Sequence, residues 1–504
     1  MSELERIALA LVLALFYLAF SGWCYRRTPR SDRDVTAQAD VVIAYASQSG
    51  RAHQLAEKTR DAFSVPVMLY ALNQLTVNDL GKAKTLLVVA STYGEGEAPD
   101  NAIAFARRIK SLPSNALSHL NFVVLGLGDS HYQQYCAFAY QLQQLLVDAG
   151  ANPIAEILTL DAAQPEREHE VIAQWQIFIA TLGGQFNSAE AEQSVLPAIQ
   201  TLQLTRQQQL NSGSPGAPLY WLRLESRDPL DYQAGDIAEV YPRQSPDRCE
   251  QARRQLALPT QTIIEPDEAP VDTIAWLAER EWRDLELPIG ADEDAKRAWL
   301  RGLKTPAPRQ YTIACARDSH ALELVVRQQQ AGDNLGLASG WLTRYTTPGE
   351  KIQLSIRNNS EFHTPPKSSR LILIGNGSGI AGLRAHLQER AATGGEPCWL
   401  IFGERDPFAD ALFYDEFEAL HRKGVLQRID RAYSKCPGQP RYVQDCLQQN
   451  VNVLCQWIEQ GAYLYVCGSR LGMAQAVHDE LNRYLGESLL QTLQADGRYC
   501  RDVY

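Results

Sequence analysis

The stretch "DVVIAYASQSG" (Asp40–Gly50) sets an unbroken apolar run, rich in β-branched residues, against a loop of serines and glycine. "TLLVVASTYGEGE" (Thr85–Glu97) and "NFVVLGLGDSHY" (Asn121–Tyr132) repeat that design. Runs without polar alternation are those of parallel strands buried on both faces. Between them, "RAHQLAEKTRDAF" (51–63) and "AIAFARRIKSL" (102–112) carry helical spacing. Strand and helix in alternation predict a doubly wound α/β sheet, which takes ligands beyond the carboxyl ends of its strands. All three loops fall at those ends.

Downstream the pattern changes. From about residue 201 the chain offers shorter runs: "APLYWLRLES", "GDIAEVYP", "RQYTIACA", "ALELVVRQQ" and "KIQLSIR". Such strands, separated by turn signals, predict an antiparallel β-barrel. A charged helical stretch, 246–305, interrupts it. From 368 the α/β rhythm returns in "RLILIGNGSGIAGLRAHLQER", "CWLIFGERD", "GVLQRIDRAYS" and "AYLYVCGSRLGMAQAVHDEL". The expected organisation is an α/β unit over 40–185, a linker over 186–200, the barrel over 201–366 and a second α/β unit over 367–504. The 504-residue length exceeds what one core supports and suits several domains.

A net charge of −11 argues against nucleic acid as partner, since phosphate contacts need a basic face. It suits docking to a basic protein surface, and equally plain solubility. None of the ten cysteines stands in a metal-ligand spacing, which removes support for zinc or iron–sulfur clusters and fits a reduced cytosol.

The N-terminal run "IALALVLALFYLAFSGWCY" (Ile7–Tyr25) holds 19 residues without a charge. At ~1.5 Å per residue it reaches the thickness of a bilayer's hydrocarbon core. Glu3 and Glu5 outweigh Arg6, so a cleaved signal peptide fits poorly. Arg26, Arg27, Arg30 and Arg33 follow, and the positive-inside rule places that flank in the cytoplasm. The expectation is a single transmembrane anchor, a tether over 26–39 and catalytic domains on the cytoplasmic side of the inner membrane.

The loops carry the chemistry. Small residues at a strand–helix junction let backbone N–H groups close on a phosphate, although many ordinary turns look alike. Tyr93 and Tyr132, on two loops at one sheet edge, could sandwich a flat ring or be half-buried surface aromatics. Together the three loops resemble the FMN-binding loops of flavodoxins, most closely those of diflavin reductases, the family of NADPH–cytochrome reductases and the sulfite reductase flavoprotein. The resemblance covers about residues 40–504. It implies that Ser47, Gln48, Ser49, Gly50, Arg51 and Ala52 cradle the FMN phosphate. Ser91, Thr92, Gly94, Glu95 and Gly96 would surround Tyr93, and Leu127, Gly128, Asp129 and Cys136 would surround Tyr132, the two rings flanking the isoalloxazine. Ser49 stands where the family often has threonine.

The second half resembles the same family. In "RQYT", Arg309 would meet the FAD pyrophosphate and Tyr311 pack on the flavin, with Gln310 and Thr312 beside them; a cation suits a diphosphate and a ring suits a ring. "GLAS" (Gly336, Leu337, Ala338, Ser339) resembles the second pyrophosphate loop. "GNGSGIAG" resembles the nicotinamide dinucleotide loop, which implies contacts from Gly375, Gly377, Ser378, Gly379 and Arg384; Gly382 replaces a proline. "SKCPGQPRYVQ" resembles the stretch that holds the 2′-phosphate of NADPH, through Ser434, Lys435, Arg441, Tyr442 and Gln444. Arg441 stands one position from the usual lysine, where Pro440 now lies.

The chain finishes on "CRDVY". The resemblance implies that Tyr504 stacks on the FAD face and that Asp502, Cys467 and Thr312 form the catalytic group. Thr312 replaces a serine, and Ser469 an aspartate after Cys467. The activity so implied is hydride transfer from NADPH to FAD, then single electrons to FMN and on to an acceptor. The anchor points to an acceptor at the membrane: a cytochrome, a membrane reductase or a ferric siderophore, with the lipid bilayer itself a contact. A sulfite reductase flavoprotein is the alternative, and a non-catalytic membrane scaffold on a retained diflavin fold a third. Residues 40–170 carry 9 Lys/Arg against 14 Asp/Glu, and that net −5 favours a basic docking surface. The insert 246–305 is shorter than the connecting domain of typical members.

Overall fold

The computed structural model describes residues 39–504 apart from 48–49, 93–95, 97, 131–133, 165–166, 187–197, 265–268, 283–284, 333 and 438–439. The first unit is a parallel sheet of β1 (Val41–Ala46), β2 (Met68–Ala71), β3 (Thr85–Ser91), β4 (Asn121–Gly128), β5 (Asn152–Pro153) and β6 (Leu158–Asp161). Its order is β2-β1-β3-β4-β5, with β6 also on β4. Strands β3 and β4 are buried almost throughout, which explains their lack of polar alternation. Helix Ala137–Asp148 contributes Phe138, Leu142 and Leu146 to one core, and Trp175 of helix Glu168–Thr181 fills the other.

The second unit is a six-stranded antiparallel sheet of β7 (Gln200–Gln209), β8 (Leu219–Glu225), β9 (Ile237–Val240), β12 (Arg309–Thr312), β13 (Ala321–Arg327) and β16 (Lys351–Arg357), in the order β12-β9-β16-β7-β8-β13. The outermost strands approach each other through a bridge between Ile313 and Leu324. Two minor hairpins, β10 (Gln261–Thr262) with β11 (Val271–Asp272) and β14 (Gln330–Ala331) with β15 (Asn334–Leu335), lie outside that order. The insert holds helices Pro246–Gln255, Thr273–Ala278 and Glu293–Gly302, besides β10 and β11, around a core that includes Cys249, Leu277, Trp282 and Leu300.

The third unit is again parallel: β17 (Leu371–Asn376), β18 (Cys398–Glu404), β19 (Leu426–Tyr433), β20 (Tyr463–Gly468) and β21 (Tyr499–Val503), ordered β19-β18-β17-β20-β21. The last strand places the chain's final residues beside β20. Tyr504 donates its N–H to Gly468 O at 3.1 Å and accepts from Arg470 N–H at 3.0 Å, so this terminus is held by the ladder.

Among the described residues no helix is long and apolar enough to cross a membrane. The longest, Glu168–Thr181 and Ile380–Thr393, have 14 residues each, about 21 Å against the ~30 Å of a bilayer core. The expected anchor at Ile7–Tyr25 and its tether as far as residue 38 lie outside the described residues.

Candidate functional site

The loops after β1, β3 and β4 meet at one edge of the first sheet. Ser47 is buried, and its Oγ has no hydrogen-bond partner among the described residues. Thr92 Oγ1 is likewise enclosed and unpartnered among them, while Thr92 N–H donates to Leu127 O at 2.9 Å. Ser91 donates from Oγ to Ala46 O at 2.9 Å, tying the ends of β3 and β1. Gly50, with φ +78°, starts helix Arg51–Asp61, and Ala52 packs beneath it. The Arg51 guanidinium lies 4.0 Å from Glu168, and burial pulls its pKa down. Gly96 and Gly128 border the second and third loops. Cys136, buried behind Gly128, starts helix Ala137–Asp148, and its thiol is pushed up to about 12 by burial. Asp129 sits half-buried in the third loop. Gln48, Ser49, Tyr93, Gly94, Glu95 and Tyr132 lie outside the described residues. Two enclosed hydroxyls without acceptors, beside a helix start, suit a phosphate.

Across the molecule, β12, β20 and β21 bring together three side chains far apart in sequence. Thr312 donates from Oγ1 to Asp502 Oδ2 at 2.5 Å, and Cys467 Sγ lies 3.7 Å from the same oxygen. Cys467 and Asp502 are register partners across the β20–β21 ladder. Burial pushes the pKa of both Cys467 and Asp502 up. Next to them the glycine loop joins β17 to helix Ile380–Thr393. A Cβ on Gly379 would stand 2.1 Å from Cys467 O, so only glycine lets this loop approach β20. Gly375 and Gly377 share the loop with Ser378, whose side chain interacts with the Tyr504 hydroxyl. The Tyr504 residue is 54% exposed.

Arg309 and Gln310 are exposed at the start of β12, and Tyr311 is half-buried. Gln310 Oε1 accepts from Arg357 Nη2 at 3.1 Å. Gly336 and Leu337 open a helical turn whose Ala338 and Ser339 are buried, Ser339 Oγ accepting from Gln329 N–H at 3.0 Å. At the end of β19, Ser434 N–H donates to Glu404 O and Lys435 N–H to Arg405 O. Lys435, Arg441 and Tyr442 are exposed there, Gln444 is half-buried, and the Arg441 guanidinium lies 5.6 Å from the Tyr442 ring centroid.

Arg384 differs in setting from the other expected phosphate contacts. It is 6% exposed, and its donors are taken internally: Nη1 by Glu323 at 2.6 Å and Ala314 O at 2.7 Å, Nε by Glu416 at 2.8 Å. It stacks over Phe413 at 4.4 Å and joins the second unit to the third. These contacts hold Nη1 and Nε inside the protein. Three neighbours went unnoticed in the sequence. Arg327 Nη2 binds Glu404 at 2.8 Å beneath Gly377. Asn376 Oδ1 accepts from Ser469 N–H at 3.0 Å. Asn101 accepts from Ser47 N–H at 3.1 Å. Only Arg327, charged at the end of an apolar strand, offered a signal.

Residues 43–175 match the flavodoxin family model, and residues 373–479 the oxidoreductase NAD-binding domain model. Along most of its length the chain is similar to sulfite reductase [NADPH] flavoprotein alpha-components. That of Vibrio cholerae is 28% identical over 93% of this chain and 88% of its own length. That of Aliivibrio fischeri is 28% identical over 92% and 89%. That of Bacillus subtilis is 25% identical over 92% and 89%. The two matched domains and these relatives support a place for the chain in the diflavin reductase family. It is a flavoprotein oxidoreductase.

The single-pass, inner-membrane placement of this diflavin reductase, read from the hydropathy of one run, is corrected. The folded units hold no membrane-crossing helix among the described residues, and the relatives it aligns with are sulfite reductase flavoproteins. Length, hydropathy and the flanking charges had carried that reading, and the run lies outside the described residues. The membrane-bound acceptor, the ferric siderophore and the bilayer contact find no support either.

Proposed function

We propose that this diflavin reductase oxidises NADPH and delivers electrons through FAD and FMN to a redox acceptor protein with a basic docking surface, another component of a sulfite reductase being the acceptor its relatives' names favour. The cluster of Thr312, Cys467 and Asp502 beside the Gly375–Gly379 loop carries this reading. When bound, the flavins supply the redox chemistry and the two-to-one-electron exchange.

The residues present fit those groups. Among the described residues Ser47 Oγ and Thr92 Oγ1 are donors without an acceptor, as an FMN phosphate requires. Arg309 and the turn Gly336–Ser339 would hold the FAD diphosphate, and Tyr311 its ring. Lys435 and Arg441 would pair with the 2′-phosphate of NADPH, with Tyr442 alongside. Tyr504, held by its backbone and half exposed as a residue, would cover the flavin until the nicotinamide displaces it. Asp502 accepts hydrogen bonds from Thr312 and Cys467 and so fixes both side chains beside the reacting edge. Burial raises its proton affinity, against the two hydrogen bonds that favour the carboxylate.

We read the first unit, 40–185, as the FMN domain, 201–366 as a barrel for FAD closed at Ile313–Leu324, and 367–504 as the NADP domain. The net −5 of residues 40–170 supports a basic partner. Chromatographic counting of the flavins released from purified protein tests the reading: one FAD and one FMN per chain is expected, with NADPH absorbance falling when a dye acceptor is added. FAD without FMN, even after reconstitution, would overturn the relay.

A further inference from the structure

The first unit meets the second through a short segment that follows β16, and the contact lands on the Ser47 loop. The side chain of Asn101, at the start of helix Asp100–Lys110, stands between them. Its Oδ1 accepts from Ser47 N–H at 3.1 Å, and its Nδ2 donates to Glu361 Oε1 at 3.0 Å. Ser47 is 1% exposed and Asn101 8%, so water cannot replace either bond cheaply. The amide has one orientation that satisfies both ends, because a carboxylate accepts only and an N–H donates only.

Neighbouring contacts press the same two surfaces together. A Cβ on Gly50 would lie 2.6 Å from Asn358 O, and His53 Nδ1 stands 3.4 Å from Ser360 Oγ. Asn358 and Ser360 thus touch the start of helix Arg51–Asp61 and the glycine before it, while Glu361 meets Asn101.

We propose that Asn101 is a positioning residue that couples FMN binding in the Ser47 loop to docking of the first unit on Glu361. The inference rests on the FMN assignment of that loop. Held by Glu361, the Asn101 amide keeps one rotamer and presents Oδ1 to Ser47 N–H, which leaves Ser47 Oγ aimed at the phosphate position. Donation to a carboxylate also polarises the amide and strengthens its acceptor end. When the units separate, that constraint is lost and the loop relaxes. Linkage makes the effect reciprocal: whatever docking adds to FMN affinity, FMN adds to docking.

The test uses the full chain, stripped of FMN but not of FAD, with FMN titrated back and its fluorescence quenching followed. Glu361→Ala should weaken FMN binding about 5- to 20-fold, although Glu361 belongs to another unit. Glu361→Gln, which keeps an oxygen acceptor, should restore affinity to within about twofold of wild type, and FAD content should stay at one per chain in both variants. Asn101→Ala should weaken binding as much, and the double variant should be no worse than Asn101→Ala alone. Wild-type affinity in Glu361→Ala, or additive losses in the double variant, would overturn the coupling. Failure of the stripped wild type to take up FMN would instead overturn the assignment of the loop, and the coupling with it.

Discussion

Asp502 faces Cys467 across the β20–β21 ladder, with 3.7 Å between carboxylate oxygen and sulfur, and the same oxygen receives the Thr312 hydroxyl. Three strands from two units converge on one carboxylate. That convergence is what a site for oriented transfer needs, since transfer tolerates little misplacement. Asp502→Asn keeps the shape and an oxygen acceptor but removes the charge. Turnover with NADPH and a dye acceptor should fall about 10²-fold, within the range for a positioned proton-holding group, while FAD content stays unchanged. A variant as fast as wild type would remove Asp502 from the chemistry.

Gly382 and Thr312 share one space. A Cβ on Gly382 would stand 3.1 Å from Thr312 Cγ2, 3.0 Å from Phe362 and 3.4 Å from Cys467 Sγ. Gly382→Ala should therefore crowd the threonine methyl and lower kcat by several-fold. Thr312→Ser removes that methyl, so the pair should recover part of the loss, with a coupling of about 0.5–1.5 kcal/mol in a double-mutant cycle on kcat/KM. Strict additivity would show that the two side chains do not meet in the working enzyme.

Much of this architecture was legible in the chain. The runs that became β1, β3 and β4 lack polar alternation because both faces are covered, and that pattern needs no tertiary information. The strand–loop–helix junctions at Ser47 and Gly375 were legible for the same reason. The position of Arg384 after a glycine loop suggests a ligand, whereas its partners Glu323 and Glu416, from a distant strand and helix, left no mark in the sequence. Asn101 carried no local signal, since its meaning lies in Glu361, 260 positions away. The uncharged run at Ile7–Tyr25 offered length, hydropathy and a basic flank, and none of these bears on the three folded units.

Arg384 provides a stability test. It is buried with two carboxylates on it, and removing one member of such a cluster strands the others. Arg384→Met should destabilise the protein by about 3–5 kcal/mol in denaturant unfolding. The KM for NADPH of the folded fraction should change less than twofold. A large rise in KM at unchanged stability would return Arg384 to the dinucleotide site.

Lys435 and Arg441 make the opposite prediction. Both are exposed, and charge-assisted contacts to a phosphate contribute about 1.5–3 kcal/mol each. The pair Lys435→Ala/Arg441→Ala should raise the KM for NADPH by 10²-fold or more, roughly, and leave the KM for NADH within about twofold. Equal losses for both dinucleotides would place these cations elsewhere than at the 2′-phosphate.

His386 supplies the pH dependence. It lies fully buried against Phe362 and Tyr465, with Nδ1 2.8 Å from Thr364 Oγ1, and burial pushes its pKa down to about 3. The unfolded chain takes up the proton near pH 6.5 while the folded one does not. The stability that the neutral ring contributes is therefore complete above pH 6.5 and is lost as pH falls from there towards 3. Each unit of acidification in that window favours the unfolded state by about 1.4 kcal/mol through this group. His386→Gln keeps a polar partner for Thr364 without a titrating ring. Urea unfolding of both proteins between pH 7 and 5 should give a shallower decline for the variant, even if its stability at pH 7 is lower. Parallel curves for the two would show that His386 is protonated, or paired, in the folded protein.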